Sequence, residues 1–441
     1  MMCLLWNRWN MSDAFKVALA GLGTVGGGVV KLLLEQKDVL KKRCGRPIEL
    51  AAVADLNPDR ARALGVPETT AFYTDAREMV EKTDADVVIE LIGGADGIAY
   101  DLCRSALGGG KSFVTANKAM IAHHGNELAR LAEERGVFFG YEAAVAGGIP
   151  IIKSLREGLV GNRISEIYGI LNGTCNYILT VMRETGRPFG DVLADAQKLG
   201  YAEADPSFDI DGIDTAHKTC ILGALAFGMP VDLAALSVEG IRSVADTDIA
   251  FAEELGFRIK LLGVGRRCDG GVSLNVYPCM IPQTAEIAHV DGVFNAVVVE
   301  GDFIGHTMFV GRGAGERPTA SAVVADIADA AMHRGLPLLN VANKEVRPVD
   351  IVPLSERVGE YYVRFEVDDR PGVVADIARV LGVNGVSIAS MIQRGRRPDG
   401  TVPLIMTFHR SKESAVTAAL SEIERLPCVS GKPCMIRIER L

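Results

Sequence analysis

The stretch KVALAGLGTVGGGVVKLLLEQ, residues 16–36, joins a short apolar strand to an apolar helix through the glycine pattern Gly21-Leu-Gly23-Thr-Val-Gly26. A lone GxGxxG is a weak signal, but between a strand and a helix it is typical of dinucleotide-binding domains. The glycines permit a tight turn and a close backbone approach, and the helix N-terminus then receives a pyrophosphate group. The alternative is a glycine-rich turn without a ligand.

Strands and helices alternate through the following hundred residues. Four further apolar strands are predicted, at residues 48–54, 86–92, 112–115 and 137–141. This alternation predicts a doubly wound parallel sheet, in which ligands bind beyond the carboxyl ends of the strands. Lys118 and Glu142 follow two of these strands, so we expect both near the ligand.

Asp55 ends the second strand. An acidic residue at this place normally binds ribose hydroxyls and favours NAD. Arg60 and Arg62 follow closely and suit the 2′-phosphate of NADP instead, so the choice of coenzyme stays open. Asp55 could also cap the next helix.

The pattern changes after Pro150, where strands and helices predict an α+β domain, which we interpret as the substrate-binding and oligomerisation domain. From residue 362 the predicted order is βαββαβ, which is ferredoxin-like. The fold class is therefore α/β with a Rossmann-type N-terminal sheet. The predicted domains are 12–148 with 315–345, then 149–314, then 360–441.

Composition narrows the classes of function. The net charge of the 441 residues is −9, which argues against nucleic acid or an anionic membrane as partner. No apolar run reaches the roughly 18 residues of a membrane span, so we expect a soluble protein. The 9 cysteines are scattered without a CxxC pair, which indicates reduced thiols and a cytoplasmic location. Residues 1–10 are interpreted as a frayed or misassigned extension.

The most distinctive stretch is GYAEADPSFDIDGIDTAHK, residues 200–218, followed by a helix that is apolar on all sides. Asp214 and Lys218 are four residues apart and project from one helical face. An isolated buried ammonium is too costly, so Lys218 must be paired or neutral, which suits a group that gives protons to a substrate oxygen. An EF-hand calcium loop that starts at Ser207 would have Lys218 at its twelfth position. That position needs a bidentate glutamate, so an EF-hand is excluded. An ordinary Asp–Lys helix pair stays an alternative.

Six motifs in this order, GLGTVG, VTANK, EAAVAGGIP, LNGTCNYI, GYAEADPSFDIDGIDTAHK and GRGAGERPTA, resemble homoserine dehydrogenase. The segment DRPGVVADIARVL…GVSIASM resembles an ACT regulatory domain. The resemblance implies the monofunctional form, a homodimer or homotetramer, that interconverts L-homoserine and L-aspartate 4-semialdehyde with NAD or NADP. This reaction belongs to threonine, methionine and isoleucine biosynthesis. The implied regulator is L-threonine, bound around 372–374 and 384–386, although the domain could serve assembly alone.

The resemblance also implies roles for individual residues. Lys218 matches the proton-donating lysine and Lys118 a second lysine near nicotinamide and substrate. Asp214 matches the aspartate that orients the substrate, and Glu203 the glutamate that binds its amino group. Further substrate contacts are implied at Asn172, Gly173 and Thr174. The implied coenzyme contacts are Gly21, Gly23, Thr24, Val25, Gly26, Asp55, Gly93, Thr115, Lys118 and Gly315. A structural sodium ion is implied on the carbonyl groups of Glu142, Val145, Gly147 and Ile149.

Two other functions compete. An acylating aldehyde dehydrogenase needs a cysteine nucleophile, and Cys175 is the tempting residue. An amino-acid sensor on a Rossmann scaffold would lack active-site residues. The presence of Lys118, Glu203, Asp214 and Lys218 argues against a sensor.

Overall fold

The computed structural model describes residues 13–395 and 400–441. The proposed extension at residues 1–10 lies outside these ranges. The strands are β1 (Phe15–Ala20), β2 (Ile48–Ala54), β3 (Ala71–Tyr73), β4 (Val87–Glu90), β5 (Ser112–Thr115), β6 (Phe139–Gly140), β7 (Ile164–Ile170), β8 (Leu236–Val238), β9 (Phe257–Cys268), β10 (Gly271–Pro282), β11 (Phe294–Gly301), β12 (Gly305–Arg312), β13 (Val358–Asp368), β14 (Ile388–Gln393), β15 (Thr401–Lys412) and β16 (Cys434–Ile438). The helices are α1 (Thr24–Glu35), α2 (Lys37–Cys44), α3 (Pro58–Ala63), α4 (Ala76–Lys82), α5 (Ile98–Gly108), α6 (Lys118–Arg135), α7 (Ile151–Lys153), α8 (Gly173–Thr185), α9 (Phe189–Lys198), α10 (Ser207–Ile210), α11 (Ile213–Phe227), α12 (Asp246–Glu254), α13 (Glu316–Ala331), α14 (Val373–Val383) and α15 (Glu413–Ile423).

The chain divides into two compact units. The first comprises the residues up to Ile167 with His217–Ala234 and Asn295–Val349. The second comprises Tyr168–Ala216, Ala235–Phe294 and Asp350–Leu441.

The first unit contains a six-stranded parallel sheet in the order β3-β2-β1-β4-β5-β6. The predicted doubly wound sheet is therefore confirmed. Strand order reverses between β1 and β4, and a crevice outside the carboxyl ends of the strands forms at such a point.

Helix α13 packs against α1 because Gly28 has no side chain. A Cβ on Gly28 would lie 2.8 Å from Cγ of Glu316 and 3.1 Å from Cβ of Ala320. Apolar side chains of β1, α1 and α13 form the core beneath this contact, including Val17, Leu19 and Val323, each with 0% exposure. Burial of this apolar surface is the main term that holds the nucleotide-binding sheet together.

The second unit is built on strands in the order β9-β10-β16-β13-β15-β14, with β8 beside β10. Strands β9 and β10 form an antiparallel hairpin. The C-terminal part runs β13-α14-β14-β15-α15-β16, which confirms the βαββαβ order. Strand β16 pairs in parallel with β10 through Cys279 opposite Arg437, so the C-terminal part is joined to the hairpin by backbone hydrogen bonds.

Two predicted boundaries were wrong. The strand predicted at 137–141 is reduced to β6, because Glu142–Ala144 turns into a 3-10 helix. The C-terminal βαββαβ part, predicted from residue 362, begins earlier, because β13 starts at Val358, which pairs with Lys412 of β15. Within the described residues, no helix combines the length and apolarity that a membrane crossing needs.

Candidate functional site

The glycine loop after β1 has the shape that its sequence predicts. Gly21 has φ +95°, and a Cβ there would lie 2.7 Å from the carbonyl oxygen of Leu91. A Cβ on Gly26 would lie only 1.9 Å from the carbonyl oxygen of Gly21. Helix α1 begins at Thr24, so the amides of Thr24 and Val25 stand in its first turn. Amides at such a helix start attract an anionic group.

Asp55 anchors this loop. Its carboxylate accepts hydrogen bonds from the Leu22 amide at 2.8 Å and the Asn57 amide at 2.9 Å. Burial acts to raise the pKa of Asp55, but these amides and Arg60 outweigh it and hold that pKa below its usual value. The N-cap of α3 is Asn57, whose side chain accepts from Asp59, so Asp55 does not cap that helix.

A cleft of about 500 Å³ opens beside the glycine loop. Its lining includes Asp55 at the end of β2, and Arg60 and Arg77 bring positive charge to its wall. Arg60 lies 3.3 Å from the Asp55 carboxylate, with 54% of its side chain exposed, whereas the Asp55 side chain is only 5% exposed. The accessible charge at this end of the cleft is therefore the guanidinium.

Glu90, which the sequence analysis did not single out, joins the ends of β4 and β5. This fully buried carboxylate accepts from the amides of Ile92 and Gly93 at 2.7 and 2.8 Å and from the hydroxyl of Thr115 at 2.6 Å. A charged residue that closes an apolar strand before Gly93-Gly94 was the available signal. Thr115 is itself buried, so its side chain serves the scaffold of the loop.

Lys118 is the first residue of α6. Asn117 caps this helix, because its Oδ1 accepts from the Met120 amide at 3.1 Å and its Nδ2 donates to the Gly94 carbonyl at 2.6 Å. The TANK turn thus fixes Lys118 beyond the carboxyl end of β5, at the edge where ligands bind in this fold.

Lys218 lies on α11, which is buried as predicted. Lys218 is 8% exposed, and Ile221 and Ala224 further along the helix are 0% exposed. The part of α11 from His217 onward packs near α6. The rings of His123 and His217 meet edge to face with centroids 5.5 Å apart. The helices that carry the two lysines are therefore neighbours.

Beyond α11, the side chain of Asn126 on α6 exchanges two hydrogen bonds with the backbone of Val231. This pair of bonds holds the end of the α11 segment against α6. It is a second contact that fixes the two lysine-bearing helices relative to each other.

In the second unit, Asn172 gathers three segments that are distant in sequence. Its Oδ1 accepts from the Cys175 amide at 2.8 Å, which caps α8. Its Nδ2 donates to Asp209 and to Asp214, each at 2.8 Å. Asn172 and Asp214 are both 5% exposed, so this network is largely shielded from water.

Thr174, at the start of α8, contacts the turn that leads to Glu203. The Thr174 hydroxyl donates to the Tyr201 carbonyl at 2.7 Å, which ties the start of α8 to the turn before Glu203. Glu203 is exposed, and its backbone carbonyl accepts from Gln197 at 3.0 Å. Its carboxylate is thus carried on a turn whose backbone is held from two sides.

Cys175 is poorly placed for nucleophilic attack. It is 0% exposed, and its thiol donates to the Asp209 carbonyl at 3.3 Å. A reactive cysteine needs an accessible, electropositive environment. The geometry therefore favours a packing role over an acyl-enzyme.

The loop proposed for a cation, residues 142–149, is folded tightly against the turn before α13. The amides of Gly147 and Gly148 donate to the carbonyls of Gly313 and Arg312, both at 2.9 Å. The Glu142 carboxylate accepts from the amides of Ile152 and Lys153 at 3.0 and 2.8 Å. Both oxygens of the Glu142 carboxylate therefore accept hydrogen bonds from the backbone of α7.

The Glu142 side chain also sits near a second buried carboxylate. Burial, followed by the nearby Asp326, raises the pKa of Glu142 to about 8. Within residues 13–395 and 400–441, no cluster of His, Cys, Asp and Glu side chains offers a metal site. Any cation on this loop would thus depend on backbone carbonyl oxygens.

A doubly wound sheet with a glycine loop at its switch point and two lysine-bearing helices beyond it are typical of a dinucleotide-dependent oxidoreductase, and the chain carries a ferredoxin-like C-terminal part as well. Family models agree with this class. Residues 21–142 match the homoserine dehydrogenase NAD-binding domain, 150–328 match homoserine dehydrogenase, and 361–428 match the ACT domain. The chain belongs to the homoserine dehydrogenase family, and its activity is that of an NAD(P)-dependent homoserine dehydrogenase.

Individual relatives support the assignment over nearly the whole chain. A homoserine dehydrogenase of Neisseria gonorrhoeae is 47% identical over 432 residues, which cover 96% of this chain and 98% of the relative. One from Pseudomonas aeruginosa is 45% identical, with 97% and 99% covered. The crystal structure of a homoserine dehydrogenase from Thiobacillus denitrificans superposes with a TM-score of 0.92 at 44% identity, covering 98% of this chain and all of that one.

Proposed function

We propose that Lys218 exchanges the proton in the interconversion of L-aspartate 4-semialdehyde and L-homoserine, with Lys118 as a second cation beside the reacting oxygen. The main support is the Asn172 network, which draws Asp209 and Asp214 together one helical turn before Lys218. Asp214 orients the substrate, and the exposed Glu203 carboxylate binds its amino group. Asn172, Gly173 and Thr174 supply further contacts to the amino acid.

The chemistry requires positive charge where an oxygen becomes basic. When bound, the coenzyme supplies or accepts the hydride at the aldehyde carbon. In reduction, the Lys218 ammonium gives a proton to the oxygen of that carbon and becomes an amine. In oxidation, the amine takes the hydroxyl proton back. Fixed cations next to a developing alkoxide stabilise the transition state more than the ground state.

The direct test of this function is a homoserine oxidation assay on the purified protein with NADP+ and with NAD+, each repeated with added L-threonine. We expect turnover with homoserine and none with L-serine, which lacks the extra methylene of the side chain. Absence of turnover with both coenzymes would contradict the proposal.

We infer that L-threonine acts through the C-terminal domain. Support comes from the DRPG turn, where Gly372 has φ +94° and α14 begins at Val373, and from the match to the ACT domain. The amides at this helix start and the turn at 384–386 can hold the carboxylate and amino group of a free amino acid. The dimeric or tetrameric state and the domain boundaries given above stay predictions.

The accessible charge in the coenzyme cleft favours NADP, and we propose this preference. Arg60→Gln is expected to raise KM for NADP+ about tenfold, because a charge-assisted bond to a phosphate is lost. KM for NAD+ should stay within about twofold. Arg62→Gln is the matched control, because Arg62, the other arginine that the sequence suggested, is not among the residues that line the cleft and pairs with Asp59 on the same helix. An equal rise in KM for NADP+ and for NAD+ would contradict the preference. So would an equal rise in KM for NADP+ in Arg60→Gln and Arg62→Gln.

We propose that a structural sodium ion binds the carbonyl oxygens of Glu142, Val145, Gly147 and Ile149. The fit rests on hard oxygen donors in a buried glycine-bearing loop, where Ala146 has φ +48° and Val145 is 0% exposed. Replacing sodium by tetramethylammonium at equal ionic strength should lower Tm by about 3 °C, as expected for about 1 kcal/mol of lost linkage. An unchanged Tm would contradict the proposal of a structural sodium ion.

A further inference from the structure

A run of four residues after β8, Glu239–Arg242, lies along the acidic segment that precedes α11. The Ile241 amide donates to the Ile210 carbonyl at 2.8 Å. A Cβ on Gly240 would lie 2.1 Å from that same oxygen. The two stretches of backbone therefore approach each other as closely as glycine allows.

Arg242 fixes both ends of the short helix α10. Its guanidinium donates to the Ser207 hydroxyl at 2.9 Å and to both carboxylate oxygens of Asp211, one of them at 3.0 Å. Between these two contacts stands Asp209, which accepts from Asn172. The guanidinium thus holds α10, whose Asp209 carboxylate accepts a hydrogen bond from Asn172, a proposed substrate contact.

Glu239 fixes the other end of the run to the C-terminal domain. Its carboxylate accepts two hydrogen bonds from Arg437 of β16, at 2.8 and 2.7 Å. Arg437 is 1% exposed and also donates through Nε to Glu413 at 3.0 Å. Its guanidinium lies over the Tyr277 ring, 4.6 Å from the centroid. Arg437 is therefore held firmly on the side of the C-terminal domain.

We propose that Glu239 and Arg242 are positioning residues, which hold the acidic segment in its substrate-binding geometry and tie that geometry to the C-terminal domain. The proposal rests on the proposed role of Asp214 and Asn172 in binding the amino-acid substrate. Hydrogen bonds join Arg437 to Glu239 and Arg242 to both ends of α10, and the backbone of the four-residue run connects Glu239 with Arg242. A ligand that shifts β16 thereby has a physical path to the substrate site.

The test separates KM for homoserine from the other kinetic parameters. In Arg242→Gln and in Glu239→Gln, KM for homoserine should rise about five- to tenfold, because a segment that binds substrate is misplaced by a fraction of an ångström. KM for the coenzyme should stay within about twofold. Arg242→Lys, which keeps the charge, should recover part of the loss. Arg242 and Glu239 are about half exposed, at 51% and 46%. Arg242→Gln should leave Tm unchanged. Glu239→Gln should lower Tm, because it removes one partner of the buried Arg437 guanidinium.

The control is Arg130→Gln, which breaks the Arg130–Glu134 pair on α6, exposed at 54% on each side. Homoserine KM within about twofold of this control in both variants would overturn the proposal. An equal rise in KM for coenzyme and KM for homoserine would also overturn the proposal. Asp214→Asn is measured alongside. If that variant binds homoserine normally while Arg242→Gln does not, the substrate role of Asp214 fails and the positioning role stands.

Discussion

Replacing Lys218 by methionine is expected to lower kcat for homoserine oxidation about a thousandfold, because a positioned proton acceptor and a charge beside the alkoxide are both lost. Methionine keeps the apolar stem of the side chain, which suits a site that is only 8% exposed. The dissociation constant of the coenzyme should stay within about twofold, since the lysine acts mainly in the transition state.

The matched control is Lys198→Met, which removes a lysine that is 77% exposed on α9. It should leave kcat unchanged. If Lys218→Met resembles this control, the interpretation of Asp214 and Lys218 as an ordinary helix pair, worth about 0.3–0.5 kcal/mol, is the better one. Equal losses in kcat and coenzyme affinity would also count against a proton-transfer role.

Asp248→Asn is expected to lower the free energy of unfolding of the second unit by about 3 kcal/mol, because a buried charge pair is broken on one side only. Asp248 is 0% exposed and lies on α12. Its carboxylate accepts from Arg364 at 2.7 and 3.1 Å and from the Tyr362 hydroxyl at 3.0 Å. Both partners belong to β13, so the carboxylate fastens the C-terminal domain to α12.

Urea denaturation followed by circular dichroism measures this effect. Asp246→Asn is the control, because Asp246 stands two residues earlier on the same helix and is exposed. The control should shift the free energy of unfolding by less than about 0.5 kcal/mol. Equal midpoints for Asp248→Asn and the wild type would show that the buried pair contributes nothing to the docking of the C-terminal domain.

Local sequence patterns predicted the elements well. Strands β2 and β5 occupy the predicted residues, because short apolar runs between turn residues have few other interpretations. The glycine loop was equally readable, since Gly21 and Gly26 stand where a side chain has no room. Periodicity indicated the burial of α11 because apolar residues surround that helix.

Local sequence patterns could not predict contacts between residues that are far apart in the sequence. Asn172 and Asp214 are 42 positions apart, and Glu239 and Arg437 are 198 apart. Their pairing depends on how the sheets assemble, which no local spacing encodes. Glu90 was missed for a related reason, because a carboxylate at the end of a strand reveals its role only when Thr115 and the Gly93 amide are seen to face it.

The proton role of Lys218 is tested most directly by single-turnover stopped-flow, in which enzyme preloaded with NADPH is mixed with L-aspartate 4-semialdehyde and oxidation of the nicotinamide is followed. In the wild type we expect rapid oxidation in one phase. In Lys218→Met the same phase should slow by about a thousandfold, with coenzyme still bound. A single-turnover rate that is equal in the two proteins would contradict the claim that this amine exchanges the proton during hydride transfer.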